Sequence, residues 1–174
     1  MKQLMFHDDQ QFWFETLRNL GLAVYGGSDV GEVVATASRV TSGDHDGWHD
    51  AWLSTAERLE AEAHSSRPIS ARDGLLRAST YYRAAEFFLH GNSDDPRIDH
   101  AYERGVACLR DAIAHLPGVT PVEIPYEGTV LHGYFASHCS ASVSAATSPL
   151  APRPMNGAWP LSSPSMVSST PSRP

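Results

Sequence analysis

The chain changes character at one point, and that break limits what it can fold into. Up to Phe135 apolar and charged residues recur at helical and then strand-like spacing. From Ala136 to Pro174 there is no Asp, Glu or Lys, and eleven Ser and seven Pro instead. A Pro every few residues removes backbone donors and fixes φ, so neither a helix nor a central strand can run through that stretch. The expectation is a disordered tail at 136–174, with any packed core built from the residues before it.

The charge is just as unevenly placed. Of thirteen Lys and Arg, Arg153 and Arg173 lie in the tail. The first 135 residues therefore set 11 basic against 20 acidic side chains, a charge of −9. Such a surface excludes nucleic acid and anionic membrane as main partners. The two cysteines, Cys108 and Cys139, form no C-x-x-C pair, which leaves no zinc ribbon or thioredoxin-like motif and fits a reducing, cytoplasmic setting. The N-terminus M-K-Q-L-M-F-H-D-D lacks the apolar region of a signal peptide, and no run of about 18 apolar residues marks a membrane span. Self-association into a homo-oligomer stays open.

Periodicity predicts a mainly α protein. A first helix spans about Asp8 to Leu20, with Phe12, Trp13, Leu17 and Leu20 near one face and Gly21 as its stop. In Y-G-G-S-D-V-G-E, Asp29 and Glu32 have capping-box spacing ahead of a short helix through Val33 to Val40. S-G-D-H-D-G (Ser42 to Gly47) reads as a loop. Trp48, Trp52, Ala56, Leu59 and Ala63 then form one apolar stripe. Ser70 is placed to cap a long helix reaching His90. Asp95 caps the next helix with Pro96 in its first turn, and that helix closes at Pro117-Gly118. Cys108 falls on its apolar face. After it the period becomes two. Val122, Ile124, Tyr126, then Val130, Leu131, Tyr134 and Phe135 read as a hairpin turning at E-G-T. The division is 1–118 helical, 119–135 hairpin, 136–174 tail.

Chemistry is sparse. His45 and His49 stand four apart among Asp44, Asp46 and Asp50, but Gly47 interrupts them, no third ligand is implied, and D-H-D-G fails the calcium-loop pattern. A solvated capping loop is the stronger reading, and no cofactor is implied. Gly26, Gly27 and Gly31 match no phosphate-loop spacing. No G-x-S-x-G nucleophile elbow occurs anywhere, so no catalytic residue is assigned. The aromatic set is the informative one. Trp48, Trp52, Tyr81, Tyr82, Phe87 and Phe88 fall on neighbouring helices beside Glu86 and His90. Because consecutive residues cannot share a helical face, one of Tyr81 and Tyr82, and one of Phe87 and Phe88, is expected to point away from the core, toward a second partner or a ligand pocket.

Four stretches taken together resemble a known family: Y-G-G-S-D-V-G-E, G-D-H-D-G-W-H-D-A-W, S-A-R-D-G-L-L-R-A-S-T-Y-Y-R-A-A-E-F-F-L and I-P-Y-E-G-T-V-L-H-G-Y-F. In order and content they are similar to the N-terminal region of α/β-hydrolases that carry a helical cap, among them 2,6-dihydropseudooxynicotine hydrolase and the fungal yellowish-green pigment hydrolases that shorten polyketide chains. The likeness covers about Phe12 to Phe135, with Gly47 and His132 standing where that family's Ser and Pro are expected. It implies a helical cap-domain bundle followed by a β-hairpin that starts an α/β-hydrolase sheet. It also implies cleavage of carbon–carbon bonds of ketones or diketones, or of ester-like bonds, by a Ser–acid–His core that has no counterpart here.

On that resemblance, the expected function is a cap-domain fragment of a serine hydrolase, inactive alone. Trp48, Trp52, Tyr81, Tyr82 and Glu86 are its substrate-binding candidates, with a small molecule as partner wherever a core is present. The abrupt change after Phe135 fits a shifted reading frame or a truncated gene. The alternative is a free-standing helical binding or scaffold module. The hairpin argues against it, since two strands with open edges serve a scaffold poorly.

Overall fold

In the computed structural model, residues 5–136 are described; the expected tail beyond Ala136, with Cys139, lies outside them. Five α-helices are followed by a two-stranded antiparallel hairpin: α1 (Gln10–Gly21), α2 (Val30–Ala37), α3 (His45–His64), α4 (Pro68–Glu86), α5 (Pro96–Ile113), β1 (Val119–Tyr126) and β2 (Thr129–Ala136). Short 3₁₀ segments, Leu22–Tyr25 and Phe87–Gly91, extend α1 and α4. The mainly helical fold with a terminal hairpin is the one expected.

α4 is the organising element, packed against α3 on one side and α5 on the other. The stripe read on α3, from Trp48 to Ala63, is buried throughout. Small residues let the helices close in. A Cβ at Gly74 would stand 3.1 Å from the Ala63 Cβ, and one at Gly105 would stand 3.3 Å from the Tyr82 Cβ. Ala101, Gly105, Cys108 and Ala112 form the buried face of α5. The larger apolar residues Tyr102, Val106 and Leu109 flank that face, because they are too bulky for the close approach.

Several boundaries differ from the sequence expectation. Asp44 caps α3 through the Gly47 amide at 2.8 Å, so the helix begins at His45 inside the expected loop. Pro68 opens α4 two residues before Ser70, which makes no cap. Gly21 ends α1 without stopping the chain; the reversal comes at Gly26, whose φ of 75° favours glycine. Asp29 does cap α2 at 3.0 Å, but Glu32 does not reach back to complete a box. α1 turns a broader face inward than expected, with Trp13 and Leu20 still packed against the core. Phe12 is buried as expected, yet Glu15, Thr16 and Asn19 lie deeper than Trp13, Leu17 and Leu20. Their polar atoms are satisfied locally: Thr16 Oγ1 donates to the Phe12 carbonyl at 2.8 Å, and Asn19 Nδ2 to the Glu15 carbonyl at 2.9 Å.

The hairpin register pairs Tyr126 with Thr129 and Val119 with Ala136. Its two-residue turn, Glu127 and Gly128, has φ of 45° and 82°, as a primed turn demands. None of its residues is buried. Val122, Ile124, Tyr126, Leu131 and Phe135 share one face by that register, and it is apolar and open.

Candidate functional site

The predicted site residues separate into a buried framework and a groove wall. Trp48, Trp52, Tyr81 and Tyr82 are at most 1% exposed. Tyr81 and Tyr82 are both interior, contrary to the expectation that one of them points away, because α4 is covered on two sides. The Tyr81 hydroxyl donates to Glu32 at 2.9 Å and accepts from the Asp29 amide at 2.9 Å. Glu32 also receives Arg77 Nε at 3.0 Å. On the other side the Tyr82 hydroxyl donates to Glu60 at 2.6 Å, and Glu60 pairs with Arg104. Burial, reinforced by these carboxylates, pushes both phenols above their usual pKa. They are fixed donors, not proton carriers. The rings of Trp48 and Trp52 pack at a tilt with centroids 5.4 Å apart, and those of Trp52 and Tyr81 likewise at 5.3 Å.

His45 and His49 do share a helix, but not a ligand. His49 is buried with Nδ1 3.1 Å from the Ala85 carbonyl, while His45 stacks on Phe88 at 5.1 Å. Among the described residues no group of three His, Cys, Asp or Glu converges as a metal set would.

Tyr82 edges a cavity of about 340 Å³ with Glu60, His64, His100 and Arg104, and Glu86 reaches another. It lines a groove of about 280 Å³ between α4 and α5, with Thr80 and Arg83 on one wall and Tyr102, Val106 and Leu109 on the other. Its Oε2 is buried and has no hydrogen-bond partner; Oε1 lies 3.9 Å from His90 Nε2. Burial raises the Glu86 carboxyl pKa, with His90 and Arg83 pulling the other way. Arg83 also lines a second cavity, of about 200 Å³, with Glu15, Arg18, Asn19, Leu22 and Phe87. Sequence reasoning missed Arg83 and the α5 wall. Tyr102, Val106 and Leu109 recur at helical spacing in the sequence, but such a period reads the same for a groove as for a core.

This chain, helices then hairpin, has counterparts. It is 40% identical over 128 residues to hydrolase LUC6 of a Fusarium species, covering 67% of this chain and 29% of that protein. It is 38% identical over 121 residues to 20-hydroxy-prefusarin hydrolase FUS2 of Gibberella moniliformis, covering 67% and 29%. It is 36% identical over 135 residues to the α/β hydrolase xenA of Xenoacremonium sinensis, covering 74% and 31%. The chain is homologous to part of the fungal α/β-hydrolases. It spans about 30% of the length of these curated relatives. No protein-family model matches it. The homologous stretch contains no G-x-S-x-G elbow, and among the described residues no helix is long and apolar enough to cross a membrane.

Proposed function

We propose that this chain is the helical cap and first hairpin of a serine α/β-hydrolase that cleaves carbon–carbon bonds of ketones or diketones, or ester-like bonds. The partial homology carries this reading, and the hairpin supports it. Its apolar face is open, with Ile124 52% and Phe135 60% exposed, as a strand pair awaiting a sheet would be. Pro121 and Pro125 sit four residues apart in β1, at positions of the same parity, and have no N–H to give, which marks β1 as the outer strand and β2 as the edge through which a sheet grows.

Nucleophile, base and oxyanion donors belong to the core in this reading, and the chain alone turns nothing over. The cap's part is to cover a small-molecule substrate and exclude water. Glu86 faces that substrate, and Trp48, Trp52, Tyr81 and Tyr82 hold the wall behind it. Neither nucleic acid nor membrane is a partner of so acidic a surface.

The test is a chimera in which residues 5–136 replace the matching segment of hydrolase LUC6. The expected result is retained hydrolase activity in the chimera and no serine-reagent titration of this chain alone. A chain that titrates stoichiometrically and turns over esters by itself overturns the reading.

A further inference from the structure

We propose that the α4–α5 groove binds a neutral apolar molecule of about two fused rings through one hydroxyl group, which donates to the Glu86 carboxyl. The volume, about 280 Å³, lies at the small end of ligand pockets. Tyr102, Val106 and Leu109 supply an apolar wall. A buried carboxylate oxygen without a partner is costly and asks for a donor, and Glu86 Oε2 is such an atom.

The Glu86 side chain keeps 14% exposure. Its terminal torsion is soft, and ligand entry in this proposal includes a rotation that brings the shielded oxygen to the groove that Glu86 lines. Charge selects the ligand further. Arg83 on the same wall opposes a cation, and Glu86 together with the −9 charge of the first 135 residues opposes an anion. A neutral hydroxyl meets neither objection. That this ligand is the substrate rests on the cap reading; that it binds here does not.

The experiment titrates the full ¹⁵N-labelled chain with 2-naphthol and, separately, with 2-methylnaphthalene, which matches it in shape but has no donor. The expected result is amide shifts centred on Arg83, Glu86, Tyr102 and Val106, with 2-naphthol bound about tenfold more tightly, the worth of one hydrogen bond to a carboxylate. Glu86→Leu removes the tenfold preference, and Val106→Trp fills the groove and abolishes both. Equal affinities, a preference that survives Glu86→Leu, shifts away from the groove, or binding unchanged by Val106→Trp each overturn the proposal. An inactive chimera tells against the cap reading alone and leaves this binding result standing.

Discussion

The indole N–H of Trp48 donates to the carbonyl oxygen of Ala84 across the α3–α4 interface at 2.8 Å. This bond lies at the end of α4, where the backbone tightens into the 3₁₀ segment and the Phe87 amide closes on the same carbonyl. One residue on, His49 holds the Ala85 carbonyl. Two side chains of α3 thereby set where α4 ends and so where Glu86 and Arg83 stand.

Trp48→Phe removes that donor and part of a fully buried ring. The expected cost is about 2–3 kcal/mol, combining a lost hydrogen bond with a small cavity. Urea denaturation measures it. A loss below about 0.5 kcal/mol would mean the bond is incidental to the packing.

Tyr82→Phe leaves the ring in place and deletes the hydroxyl that reaches Glu60. Because Glu60 is only 6% exposed and keeps Arg104, the expected loss is about 1–2 kcal/mol. Arg104→Met is expected to cost more, since it leaves a buried carboxylate without its cation. If a double-mutant cycle shows the two changes to be additive, the three groups do not form one network.

Acid should loosen the start of α5. Asp95 caps the Arg97 amide at 3.0 Å and pairs with the Arg97 guanidinium at 2.7 Å. These bonds hold its carboxyl down at about 2, against an ordinary 3.8. The unfolded chain thus takes up this proton more readily. The stabilisation is fully present above pH 3.8 and is lost as the pH falls through about 2. A carbon-detected titration of the Asp95 carboxyl measures this directly, and Arg97→Gln should raise its midpoint. A midpoint near 3.8 in the parent chain contradicts the pairing.

Cys108 should be inert in the folded protein. Its thiol is fully buried, and burial, then the nearby Glu60 charge, pushes its pKa up to about 12. Thiolate is the reactive form. In a Cys139→Ser chain, a thiol-specific disulfide reagent is expected to react about a hundredfold faster once urea unfolds the protein. Comparable rates in the two states would place Cys108 at a surface.

Local signals carried much of the fold. Asp29, Asp95 and Pro96 announced their helices because capping depends on a few neighbouring residues, and Glu127-Gly128 announced the turn for the same reason. The errors arose where two elements meet. Ser70 has the chemistry of a cap, but Pro68 begins α4 earlier. α1 sets Phe12, Trp13 and Leu20 against the core, yet it also buries Glu15, Thr16 and Asn19, each satisfied within the fold. Of the site, Glu86 could be read and Arg83 could not. An exposed arginine becomes notable only when two cavities are seen to share it.

The sequence alone determined that residues before Ala136 form helices and then a hairpin, and that no nucleophile elbow accompanies them. Those facts rest on period, capping and motif, which are properties of neighbouring residues. The tertiary structure decided that Tyr81 and Tyr82 are both interior and that Glu86 is the predicted residue on the α4–α5 groove. The physical reason is the position of α4. A helix covered on two sides buries consecutive residues in opposite directions, and no one-dimensional pattern records how many neighbours a helix has.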